Sequence, residues 1–258
     1  LTGFCANLSA MSANRISPIQ TAKRIFATKF ADAELLFLAG SIVRGEHTEF
    51  SDLDIVLIYK ALPNAYRESF TFQDYPVEAF VHDPETLNYF FQEMDRPSGF
   101  SPLMQMVLEG IEIPRPTKLS GELKQLAGEI IEAGPPKLSQ EDLQNRRYQI
   151  TDLIDDIRTP RSRIELIASG TLLYSALADF YFRSQNHWSA KGKAIPRCLK
   201  QIAPDFHGRF CGAFESLFVS GKQNPVIVLA EEILKPFGGF LFDGQRFDAP
   251  ASFRKTIK

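Results

Sequence analysis

The sequence predicts an α+β chain, with a mixed β-sheet and flanking helices first and an α-helical bundle after it. Three short runs rich in apolar and β-branched residues carry the first half of that statement: Glu34 to Ala39, Asp52 to Tyr59 and Pro76 to His82. Each is cut off by a turn former, respectively Gly40, Leu62-Pro63 and Pro84. From Leu119 onward the apolar residues recur at helical spacing instead, in segments 119–132, 139–157, 162–186, 191–202, 206–220 and 224–236. Pro135-Pro136, Pro160, Pro204 and Pro225 punctuate them, while Pro196 falls in the first turns of its helix, where proline is tolerated. Strands gathered first and helices after them predict two domains, residues 1–117 and 118–258.

Ser17-Pro18 is an N-cap followed by proline at the first helical position, and Ile19, Ala22, Ile25, Phe26 and Phe30 continue at helical spacing, predicting a helix over 18–32. Residues 42–51 are polar and irregular. No element is read between Leu62-Pro63 and Pro76. Pro84 opens a helical stretch toward Met94, another helix covers 102–109, and Gly110 to Ile113 reads as a short returning strand before Pro114 and Pro116. The first dozen residues, up to Met11, are given no structural weight.

Hydrophobic residues at 44% and charged residues at 23% are ordinary for a water-soluble globular chain. No stretch approaches the roughly 20 apolar residues of a spanning helix, so a cytoplasmic protein is expected. A net charge of −2 weighs against a dedicated nucleic-acid binder, which leaves phosphate recognition to local groups. Cys5, Cys198 and Cys211 have no C-x-x-C spacing and read as buried, reduced thiols. His47, His82, His187 and His207 never stand four apart, so no histidine metal pair is read.

The chemistry is concentrated in Ala39-Gly40-Ser41, ten intervening residues, and Asp52-Leu53-Asp54-Ile55. A bare D-x-[DE] pattern is weak, because it arises about once by chance in a chain of this length. Asp32-Ala33-Glu34 and Asp83-Pro84-Glu85 are such chance copies, and neither follows a glycine turn at the right distance. Strand residues i and i+2 share a face roughly 6.5 Å apart, so Asp52 and Asp54 are able to serve one cation. Carboxylates are the hard ligands magnesium prefers, and a site with few protein ligands leaves room for phosphates and water. Gly40 lets the backbone approach a phosphate, while the amide and hydroxyl of Ser41, with the helix start expected after it, supply donors. Arg44 is placed to add positive charge one turn on.

The stretch LAGSIVRGEHTEFSDLDIVLIY resembles the signature of the nucleotidyltransferase superfamily, whose best-known fold is that of DNA polymerase β. The resemblance implies a third carboxylate on a neighbouring strand, and Glu78 within Pro76-Val77-Glu78-Ala79-Phe80 is its match, 24 residues beyond Asp54. An acid inside an apolar strand is costly to bury unless ligated or paired. By likeness to the small antibiotic adenylyltransferases, Glu78 takes the acceptor's hydroxyl proton. The implied reaction is in-line transfer of a nucleoside monophosphate, AMP from ATP, to a small hydroxyl acceptor such as an aminoglycoside, with two Mg²⁺ ions held by Asp52, Asp54 and Glu78. Those relatives also append a helical bundle that binds substrate. The segment His187 to Lys193 looks like their bundle segment, which gives Lys193 a place on the triphosphate.

Alternatives remain at this level: an antitoxin-like enzyme that adenylylates protein, and a non-catalytic nucleotide-binding module. Trp188, Tyr174, Phe180, Tyr181 and Phe182 are read as core before cleft, and Arg146, Arg147, Arg158, Arg161 and Arg163 as solvated faces.

Overall fold

The computed structural model describes residues 16–255, so the expectations for the first dozen residues and for Cys5 lie outside it. The chain separates into two compact units, one ending at Pro135 and the other beginning at Pro136. No helix among the described residues is long and apolar enough to cross a membrane.

The first unit is built on a five-stranded sheet of β1 (Leu35–Ala39), β2 (Leu53–Ile58), β3 (Tyr66–Phe72), β4 (Tyr75–His82) and β5 (Ile111–Ile113), in the order β3-β4-β2-β1-β5. β2 and β4 run parallel and every other neighbouring pair is antiparallel, which makes the sheet mixed. β1, and β2 apart from Asp54, read as continuous apolar runs because both sheet faces are covered. Helix α1 (Pro18–Lys29) is capped by Ser17, whose side chain accepts from the Gln20 amide. It lays Ala22 and Ile25 on Leu36, Leu38, Ile55, Leu57, Val77, Ala79 and Val81. Burying one such side chain contributes about 1.5–3 kcal/mol. The alternate residues Phe37, Val56 and Ile58 are also fully buried and form the opposite face. Asp54 and Glu78 fall on that second face by the same alternation.

After β4 the chain enters α2 (Pro84–Tyr89), opened by a reciprocal Asp83–Thr86 capping box. A π-helical segment (Phe90–Asp95) and the short α3 (Arg96–Ser98) extend it to Gly99. In α4 (Pro102–Glu109), Ser101 makes no side-chain capping bond, and the Asp95 carboxylate accepts the Leu103 and Met104 amides in its place.

The sequence reading missed β3. This strand is a sheet edge, exposed or half-exposed along its length, so it lacks an apolar signature. The hairpin to β4 turns through Gln73 and Asp74, both at positive φ, without the Asn-Gly or Asp-Gly pair that usually marks such a turn.

Helix α5 (Lys118–Ala133) clusters with the first unit, whereas the sequence boundary lies before it, at 117/118. The physical reason is its docking. Lys124 donates to the Gly110 carbonyl at 2.8 Å and pairs with Glu112 at 3.1 Å, and Leu123, Ala127 and Ile130 are buried.

The second unit is helical: α6 (Gln140–Arg158), α7 (Arg163–Ser184), α8 (Ala194–Ile202), α9 (Pro204–Ser220) and α10 (Asn224–Leu234). Its core joins Ile150, Ile154 and Ile157 to Leu173, Leu177, Phe180, Phe182, Phe210 and Phe214. Gly170 lets α7 approach α9, since a Cβ there would meet Leu217 at 2.9 Å. Phe180 and Phe182 are core as expected, and Tyr181 stacks on Phe206 at 3.7 Å between centroids. Arg146 and Arg147 are half-buried, Arg146 pairing with Asp179 and Arg147 donating to the Gly239 carbonyl, whereas Arg158, Arg161 and Arg163 are exposed as expected, and Arg163 donates to the carbonyls of Phe218 and Val219 at the end of α9. Cys198 and Cys211 form no disulfide and are half-buried rather than buried.

Candidate active site

β1 delivers the chain to Gly40 at the end of the sheet. Gly40 has φ +73°, in the left-handed region that favours glycine, and it starts a 3₁₀ turn (Gly40–Ile42). The expected helix start is therefore a single tight turn of three residues, so it adds little macrodipole and leaves local amides as the donors. Ser41 is half-buried in that turn, and its carbonyl accepts the Glu46 amide at 2.9 Å.

Gly40 is fixed by more than its φ. Register puts Ala39 opposite Asp54, and the Asp54 carboxylate occupies the space a Cβ at position 40 would need, with its Cγ 2.8 Å from that point. The glycine turn and the aspartate thus fit against each other, which is the physical content of their spacing in sequence.

Parallel pairing of β2 with β4 sets Asp54 directly beside Glu78. Asp52 stands just before β2 and completes the group: ligand oxygens of Asp52, Asp54 and Glu78 all lie within 4.8 Å of one another, and the residues are half-buried. Three carboxylates this close repel one another in a partly desolvated setting, and a divalent cation relieves that repulsion. The donor set, all hard oxygen, fits Mg²⁺.

One cation already touches the group, and the sequence reading missed it. Arg67 on β3 pairs with Glu78 Oε1 at 2.5 Å, and its guanidinium lies 5.0 Å from the Phe80 ring centroid. The only local signal was the short Phe70-Thr71-Phe72 alternation, because Arg67, Glu68 and Ser69 before it are all polar.

Arg44 is engaged by two acids. It donates to Glu46 at 3.3 Å and to Glu109 at 3.2 Å. Burial alone would lower its proton affinity, but the hydrogen bonds to Glu109 and Glu46 outweigh that and raise its pKa above the ordinary guanidinium value. Lys193 belongs to the second unit, where it is exposed at the N-cap of α8. His47 is exposed in the loop after the glycine turn. His82, at the end of β4, is buried with its Nδ1 unpartnered, and burial lowers its pKa to about 4 despite Asp83 beside it.

Residues 19–94 match the family model of the nucleotidyltransferase domain, a span that contains Gly40, Ser41, Asp52, Asp54 and Glu78. Among solved structures the chain is similar to a nucleotidyltransferase-like protein from Exiguobacterium sibiricum, at 13% identity and a TM-score of 0.43, over 84% of this chain and 74% of that one. Comparison with curated proteins finds no match.

Proposed function

Since the chain carries a nucleotidyltransferase domain over residues 19–94, we propose that it transfers a nucleoside monophosphate, AMP from ATP, to a hydroxyl of a small molecule such as an aminoglycoside, with pyrophosphate leaving. The observation that supports this reading is the Asp52, Asp54 and Glu78 cluster lying against the Gly40-Ser41 turn. Asp52, Asp54 and Glu78 would hold two Mg²⁺ ions, which when bound supply Lewis-acid stabilisation of the attacking and leaving oxygens. Glu78 then takes the acceptor's proton, and the amide and hydroxyl of Ser41 meet phosphate oxygens. Arg44 reaches phosphate only by exchanging its bonds to Glu46 and Glu109, so its contribution is smaller than its charge suggests. The protein works in the cytoplasm.

The test is incubation of the purified protein with labelled ATP, MgCl₂ and a panel of aminoglycosides. Pyrophosphate release with at least one acceptor is expected, and Glu78→Gln should reduce it by about 10²–10⁴-fold. Release only with a polypeptide acceptor would move the acceptor class to protein. ATP binding that is independent of Mg²⁺ and indifferent to Asp54→Asn would refute the metal-centred reading.

A further inference from the structure

Glu78 is shared between two demands. One of its oxygens, Oε1, is taken by Arg67 at 2.5 Å, while the carboxylate also offers an oxygen within 4.8 Å of oxygens of its aspartate neighbours. The register explains how Arg67 reaches it. Ser69 is the residue directly opposite Glu78 on β3, and Arg67 is directly opposite Phe80. The small Ser69 leaves the diagonal open, and a long side chain two residues away can cross it. Phe80 lies against the guanidinium, at 5.0 Å from its ring centroid, and so limits where the arginine head can sit.

We propose that Arg67 is a positioning residue: it fixes the Glu78 carboxylate toward Asp52 and Asp54 so that the group is organised before a cation arrives. The proposal rests on the reading of Glu78 as part of a metal-binding group. A glutamate has three rotatable side-chain bonds, and a half-buried one beside two like charges is driven to swing outward. An arginine that holds one oxygen opposes that swing and leaves the other oxygen for a cation. Arg67 also repels an incoming cation, but its side chain is 55% exposed, so water screens that repulsion while the short hydrogen bond persists. Ordering therefore outweighs repulsion, and removing the arginine weakens cation binding.

Calorimetric titration of Mn²⁺ alone into the full chain tests this, using wild type, Arg67→Ala, Arg67→Lys, Glu78→Gln, Asp54→Asn and the Arg67→Ala/Glu78→Gln double variant, with thermal melts to check folding. Glu78→Gln should bind Mn²⁺ at least tenfold more weakly. Arg67→Ala should lose three- to tenfold with an unchanged melt, and Arg67→Lys should recover part of the loss. In the Glu78→Gln background, Arg67→Ala should add less than a twofold change, because a residue acting through Glu78 has nothing left to act on. If Arg67→Ala binds as tightly as wild type or tighter while Glu78→Gln is impaired, the positioning role is overturned and the metal site stands. An equal loss on both backgrounds overturns it too, by making Arg67 independent of Glu78. If neither Glu78→Gln nor Asp54→Asn alters Mn²⁺ binding, the metal-site reading itself fails.

Discussion

Glu78 on β4 and Glu112 on β5 are both acids inside strands of one sheet, and their surroundings are opposite. Glu112 is the more buried, with its side chain 16% exposed against 30% for Glu78. It pairs with Lys124 and accepts from Ser120, both on α5, so its charge is balanced within the fold. Glu78 faces Asp52 and Asp54 with one half-exposed arginine as counterweight. An unexpected acid in a strand is therefore not diagnostic by itself, since burial marks Glu112 more strongly. The sign of its neighbours separates a structural acid from a site acid.

The largest test of this contrast is the pair Glu78→Gln and Glu112→Gln. The first should lower nucleotidyl transfer by about 10²–10⁴-fold and leave stability nearly unchanged. The second should leave transfer within about twofold and destabilise the protein by about 1 kcal/mol, as Lys124 loses its partner. Urea melts beside transfer assays read both, and a large loss of transfer in Glu112→Gln would erase the distinction.

Gly40→Ala probes the site from its other side. A non-glycine residue in the left-handed region costs about 1–3 kcal/mol, and here the new Cβ would also push on the Asp54 carboxylate. The expected outcome is a lower melting temperature together with loss of Mg²⁺-dependent ATP binding by calorimetry. Retention of that binding would separate the turn from the acids.

A third acid sharpens the comparison because burial and backbone amides, rather than charged partners, set its proton affinity. Asp95 is held by backbone amides, and burial raises its pKa to about 6 in spite of them. The unfolded chain releases this proton near the ordinary carboxylate value of 3.8, while the folded chain keeps it to about 6. The folded state thus binds more protons across that window, and this group's contribution to stability falls as pH rises through it. His82 acts oppositely: it stays neutral in the fold down to about 4 while the unfolded chain takes up a proton near 6.5, so its contribution rises with pH. The two largely cancel between pH 4 and 6. Asp95→Asn should remove one of them, raising stability relative to wild type by about 1 kcal/mol more at pH 7.5 than at pH 4.5, with partial exposure allowed for. Urea melts at the two values measure the difference, and equal offsets would show that Asp95 titrates normally.

The legible parts of the molecule were those where one segment states its own physics. The glycine turn, the Asp52 and Asp54 strand and the helices with apolar stripes all read directly, while Glu78 was pointed to by the family resemblance and supported by the apolar strand around it. What escaped depends on partners remote in sequence or on surfaces without an apolar pattern. Edge exposure hid β3, and Arg67 with it. Glu109, 65 positions from Arg44, is an ion-pair partner that no local pattern announces. The unit boundary shifted by one helix because Lys124 and Glu112 tie α5 to the sheet, a link that composition and punctuation do not carry.

The missing side chain at position 40 has a consequence for how this sequence can drift. Two positions compete for one small volume, and Asp54 fills it. While the aspartate stays, every substitution at position 40 meets both an unfavourable backbone angle and an occupied space. If Asp54 were replaced by glycine, the steric half of that barrier would vanish. Descendants that abandon the acid should then be the ones that accumulate variety at the turn, so the pair should be kept or relaxed together.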